Sequence, residues 1–81
     1  MQKSRAEKSL KKLYSRIDDS KSLGHHSRYP DVFNLAMQYA GDAAYYFKKE
    51  DYFSSFGCSD YAYGLLDALL ILEGKKGDFP E

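Results

Sequence analysis

The stretch from Asp51 to Gly74 leaves this chain few choices. Between its two ends the only formal charges are Asp60, Asp67 and Glu73, and the rest is apolar, aromatic, small or weakly polar. Leu65, Leu69 and Leu72 fall at helical spacing, and Cys58 and Ala62 extend the stripe backwards. At 100° per residue, Cys58, Ala62, Leu65, Leu66, Leu69 and Leu72 fill an arc of about 120°. Asp51 suits an N-cap, because its carboxylate can accept the free amide hydrogens of the first turn. Gly74 suits the left-handed residue that closes a helix, with Lys75 and Lys76 placed where the dipole favours cations. The stretch therefore predicts one long helix, apolar nearly all round, that the rest of the chain has to cover. Gly57 and Gly64 lie on one side of it, and each weakens an isolated helix by about 0.5–1 kcal/mol relative to alanine. A close crossing by another helix is the expected reason for both.

Two further helices precede it. Over residues 3–22, Ala6, Leu10, Leu13, Tyr14 and Ile17 form a stripe about 100° wide. Lys8, Lys11, Lys12, Ser15, Arg16, Asp18 and Asp19 are expected to face away. Residues 23–30 break the pattern: Gly24 suits a helix stop, and Pro30 turns Tyr29 away from helical geometry before opening the next helix. Over residues 31–48, Val32, Ala36, Tyr39, Ala40, Ala43, Tyr46 and Phe47 share one side. Only Lys49, Glu50 and Asp51 separate this helix from the third, expected at 52–73 and about 33 Å long. So short a link demands a tight antiparallel hairpin. The expected fold is all-α: an up-down-up three-helix bundle, one domain over residues 1–74, with a frayed tail at 75–81.

Composition bounds the rest. The 81 residues are 43% hydrophobic and 16% aromatic, too apolar for a disordered chain. Cys58 is the one cysteine, so neither an internal disulfide nor a CxxC zinc pair exists. With no apolar run behind Met1, no signal peptide is expected and a cytoplasmic location is. The apolar run Ala68–Leu72 is far short of the roughly 20 residues of a membrane span. The net charge is zero but unevenly placed. Residues 1–30 carry eight Lys or Arg against three acids, and residues 31–81 carry four against nine.

These features support two functional readings. Phe53, Phe56, Tyr63, Leu70 and Ile71 lie on the side that the main stripe of the third helix does not use. An exposed apolar patch of a few hundred Å² marks an association surface. The first reading is therefore a small non-catalytic protein-interaction or assembly module, a homo-oligomer with the symmetric dimer favoured. The second is an RNA-contacting accessory protein, with Lys8, Lys11, Lys12 and Arg16 on phosphates and the His25–His26 loop beside them. Asp42, Asp60 and Asp67 are structural polar residues in this reading, accepting hydrogen bonds from tyrosines or facing water. No nucleophile or oxyanion donors accompany them to make a catalytic site. His25 and His26 lack a third and fourth ligand, so no metal site is expected. No GxGxxG or GxxxxGK is present, so neither a cofactor nor a small-molecule substrate is expected.

Tyr39, Asp42, Ala43, Phe47, Asp51 and Phe56, followed by Tyr61–Ala62 and Gly64–Leu65–Leu66–Asp67–Ala68, carry a resemblance. In this pattern the chain resembles the archaeal domain-of-unknown-function family 357. The resemblance implies an all-helical bundle with no assigned activity. A looser likeness is to the tyrosine-rich hairpins of HEPN proteins, whose ribonuclease members place a histidine a few residues after an arginine on one helix. Here the nearest pairing is Arg16 with His25 or His26, which departs from that spacing, and the activity is not carried over.

Overall fold

The computed structural model describes residues 2–78. Among them the chain forms four α-helices: α1 (Gln2–Ser22), α2 (His25–Arg28), α3 (Pro30–Lys48) and α4 (Tyr52–Leu72), with a 3-10 turn at Lys76–Asp78. The three expected long helices are present, and the expected loop between the first two contains a fourth, short one. Gly24 ends α1 with φ +76° and its amide bonded to the Lys21 carbonyl at 3.0 Å. The Gly24 carbonyl then accepts from the amides of Ser27 and Arg28, each at 3.1 Å, which closes the single turn of α2. Tyr29, at φ −133°, stops it, because Pro30 disfavours helical geometry in the residue before it. Pro30 itself sits in the first turn of α3, where no amide hydrogen is needed.

Both ends of α4 follow from local chemistry. The Asp51 carboxylate accepts from the Ser54 amide at 3.1 Å, the expected N-cap. At the far end Gly74 (φ +68°) donates to the Ile71 carbonyl, and Lys75 donates to Leu70 at 2.8 Å. That pair of bonds is a Schellman closure. The same closure ends α3, with Glu50 donating to Phe47 and Asp51 to Tyr46. There Glu50 takes the left-handed position, φ +65°. The 3-10 turn falls within the stretch expected to fray. Residues 79–81 of that tail lie outside the described residues.

The long helices register through specific pairs. Phe47 meets Tyr52, and Tyr39 meets Tyr61, with ring centroids 5.3 and 4.6 Å apart. Ser55 Oγ donates to the Ala43 carbonyl at 2.7 Å. These partners ascend in α4 as they descend in α3, so the two helices run antiparallel. Against α1 the order is parallel: Ser9 pairs with Ser59, and Arg16 with Tyr63. α4 therefore lies between α1 and α3, and the molecule is wider than it is thick, 35 × 23 × 15 Å.

The core is built from Leu10, Leu13 and Ile17 of α1, Phe33, Ala36, Ala40 and Ala43 of α3, and a face of α4 that differs from the expected stripe. The buried positions of α4 are Ser55, Ser59, Ala62, Leu66, Leu69 and Leu70. This arc is turned by about 50° from the expected one, at 100° per residue. Leu72 is 73% exposed and Cys58 is half-buried. The reason is size. Ser55 and Ser59 are small, their hydroxyls are hydrogen-bonded across the helix crossings, and so α1 and α3 close on them.

Gly57 and Gly64 do not mark a crossing, contrary to expectation. A Cβ at either position would meet nothing within 4 Å. Both glycines therefore cost helix stability with no packing return inside the protomer. Gly64→Ala is expected to stabilise the protomer by about 0.5–1 kcal/mol in a urea melt at high dilution. A loss of stability would show that something already packs on that side.

Candidate functional site

The outward face of α4 is the first surface of interest. Phe53 is 78% exposed and Ile71 60%, and Gly57, Asp60, Tyr61 and Gly64 are exposed between them. At 100° per residue, Phe53, Asp60, Gly64 and Ile71 fall within about 40° of one another, a straight seam along the helix. The residues expected on this surface separate into groups. Phe53 and Ile71 are on it. Phe56 turns toward α1, where it lines recesses with Arg5 and Lys8. Tyr63 is half-buried beneath α1, its hydroxyl accepting from Arg16 Nη2 at 2.6 Å. Leu70 is fully buried, so its expected place on the surface is corrected: the turned buried arc carries it inside.

The basic face of α1 also divides. Lys8, Lys11 and Lys12 are exposed, but Arg16, expected to contact phosphate, is 2% exposed. Its guanidinium lies over the Tyr63 ring, 4.9 Å from the centroid, with Asp19 and Asp67 each at 3.6 Å. Asp67 also accepts from Lys76 at 2.5 Å. The long arginine stem reaches from the edge of the α1 stripe onto α4, where aromatic and carboxylate partners replace water. The three carboxylates grouped by sequence have different roles: Asp67 anchors this network, whereas Asp42 and Asp60 are exposed.

His25 is likewise not a loop residue at the surface. It is fully buried, with Ser20 Oγ 2.7 Å from Nδ1 and Glu73 Oε1 2.8 Å from Nε2. The carboxylate can only accept, so Nε2 carries a hydrogen, and the Ser20 hydroxyl is the hydrogen-bond partner of Nδ1. Arg28 holds the other Glu73 oxygen from Nε at 3.1 Å and Nη2 at 2.5 Å. The order serine–histidine–carboxylate is that of a catalytic triad, but the two ring nitrogens are exchanged relative to one and the serine is fully buried. The chemistry this arrangement performs is fastening: it ties the end of α1, the short α2 and the end of α4 together. Spacing could not reveal it, because Glu73 lies 48 residues from His25.

Hydrogen bonds from His25 and Arg28 lower the Glu73 carboxyl from its ordinary 4.5 to about 2. A carboxyl lowered in the folded state stabilises the fold above its ordinary value. That stability is lost as pH falls from about 4.5 toward about 2. Glu73→Gln is expected to flatten this limb of the stability profile, measured by urea melts between those limits. An unchanged acid limb would remove Glu73 from the account. At Cys58, burial, followed by the charges of Asp42 and Asp51, raises the thiol and holds it protonated, as suits an inert cysteine.

No described helix is long and apolar enough to cross a membrane. The family model of DUF357, described as a protein of unknown function, matches residues 4–74, and the chain belongs to that family. The match takes in α1 and the linker as well as the hairpin that carries the motif. No curated protein and no solved structure matches the chain.

Proposed function

We propose that this member of DUF357 is a small non-catalytic assembly module in which the outward face of α4 joins two copies of the chain. The observation that carries the reading is the seam itself, where Phe53 and Ile71 stand in water at either end of a row containing two open glycines. The exposed parts of Phe53, Tyr61, Ile71 and Leu72 amount to on the order of 500 Å² per copy. A standard interface buries about 800 Å² per partner, and the glycines and their flanks supply much of the difference.

Size and charge favour an antiparallel pair. With parallel helices in register, Asp60 would face Asp60 of the second copy inside an apolar seam, and Gly64 would face Gly64. Reversing one helix sets Phe53 against Ile71 of the second copy and Asp60 against Gly64, so large meets apolar and carboxylate meets open space. It also opposes the helix dipoles. Within each copy the reading keeps α1, α3 and α4 as an up-down-up bundle, with α2 a turn in the first connection. Protonated, unpaired Cys58 suits a reducing, cytoplasmic compartment. Of the residues in the RNA-contacting reading, Arg16 and His25 are buried and engaged, while Lys8, Lys11, Lys12 and His26 remain exposed.

Light scattering across concentration tests the proposal. The expected result is a dimer that resists high salt, and for Ile71→Asp a monomer that still melts cooperatively. A monomer at all concentrations up to the millimolar range, or an Ile71→Asp chain that still dimerises, would overturn it.

A further inference from the structure

The first halves of α1 and α4 leave two adjoining recesses on the α1 side of the seam. One, of about 200 Å³, is walled by Arg5, Lys8 and Lys12 of α1 and by Phe56 and Asp60 of α4. The other, of about 110 Å³, lies between Arg5, Tyr52, Phe53 and Phe56. Arg5 and Phe56 line both, so the two recesses adjoin along one α1–α4 cleft face. Its α1 wall is a row of like charges at positions 5, 8 and 12, one face of the helix. Like charges at this spacing destabilise a helix unless something neutralises them. Among the described residues no carboxylate bridges Arg5, Lys8 or Lys12. Lys12 rests 4.9 Å over the Tyr63 ring, and Asp60 is the one acid in the lining.

The opposite wall is aromatic. Phe56 is 38% exposed and lines both recesses, on the helix opposite the α1 cations. Arg5 to Lys12 spans about 10 Å at 1.5 Å per residue, room for two or three consecutive phosphates. A cationic row facing an accessible ring is the arrangement that holds a single strand, with phosphates on the cations and a base stacked on the ring. A duplex keeps its bases stacked inside and would leave Phe56 in water. We propose that the α1–α4 cleft binds single-stranded nucleic acid, with Arg5, Lys8 and Lys12 on successive phosphates and a base against Phe56. This site uses none of Arg16, His25 or His26; Phe53 and Asp60 border both the cleft and the α4 seam, whereas Arg5, Lys8, Lys12 and Phe56, which make the proposed contacts, lie on the α1 side of that seam.

The test is fluorescence anisotropy of labelled oligouridylate and oligoadenylate, titrated with the full chain from about 50 mM to about 200 mM salt. Binding is expected to weaken with salt, with a log–log slope of about −2 for three phosphates on a single strand. The triple variant Arg5→Gln, Lys8→Gln, Lys12→Gln is expected to lose affinity by at least about tenfold and most of the slope. Phe56→Leu is expected to lose about 5- to 100-fold with the slope kept, as removal of a stacking platform does. Lys21→Gln with Lys75→Gln, at the other end of the molecule, is the control and is expected to retain binding. All these side chains are at least partly exposed, and native melts of each variant separate binding from folding. Absence of binding at low salt, equal loss in the control, an inert Phe56→Leu, or equally tight binding of polyglutamate would each overturn the assignment.

Discussion

Leu69→Asp is expected to abolish the cooperative melt. Leu69 is 1% exposed, within the cluster that joins Leu13 and Ile17 of α1 to Phe33 and Ala36 of α3. Removing a leucine from such a site costs about 2–5 kcal/mol, and an unpaired carboxylate placed there adds several more. A domain of this length has about 4–12 kcal/mol of stability in all. Leu72→Asp is the informative companion. The periodicity of the sequence places Leu72 in the same stripe as Leu69, but Leu72 is 73% exposed in the protomer, and at high dilution its variant is expected to melt like the parent. Circular dichroism melts of the two would separate the observed buried face from the one that leucine spacing alone suggests.

Asp67→Ala is expected to cost about 2–4 kcal/mol, read from chemical denaturation. The change takes one carboxylate away from the buried Arg16 guanidinium and one from Lys76. Breaking one side of a buried pair costs about 3–5 kcal/mol. The remaining Asp19 contact and the partial exposure of Asp67 reduce that figure. Arg16→Met combined with Asp67→Leu is expected to recover much of the loss, since an apolar pair leaves no stranded charge. Asp42→Ala, on the exposed side of α3, is expected to change stability by no more than about 0.5 kcal/mol. Equal effects at Asp42 and Asp67 would contradict the network around Arg16.

Much of the architecture was legible because its signals are local. The Asp51 cap, the Gly74 stop and the break at Tyr29–Pro30 each act within a few residues of themselves, and the helix limits agree with them closely. In α1 the expected stripe holds at Ala6, Leu10, Leu13 and Ile17 but not at Tyr14, which is 47% exposed, and α3 buries Phe33 beside the expected Ala36, Ala40 and Ala43. α4 has α1 on one side and α3 on the other, and there apolarity alone misplaced the contact. Ser55 and Ser59 look polar in sequence but are small enough for a crossing, and each hydroxyl finds a partner. Gly57 and Gly64 suggested a crossing that alanines and serines provide instead. Burial of Arg16 and His25 was illegible for a different reason: their partners Tyr63, Asp67 and Glu73 lie about fifty residues away, and only the registered packing of α1 on α4 brings them together. Of the candidate surface, Phe53 and Ile71 were legible as apolar residues off the main stripe. Leu70 was misassigned by the same turn of the helix that exposes Leu72.

The central claim, that α4 pairs with α4 of a second copy in antiparallel register, is tested most directly by disulfide cross-linking in a Cys58→Ser background. Chains carrying Phe53→Cys are mixed with size-tagged chains carrying Ile71→Cys and oxidised mildly, and the products are separated by mass. The account predicts the mixed Phe53→Cys–Ile71→Cys product in excess over either same-site product. Same-site products in excess would mean a parallel pair, and no product from a mixture that light scattering shows to be dimeric would place the interface elsewhere on the molecule.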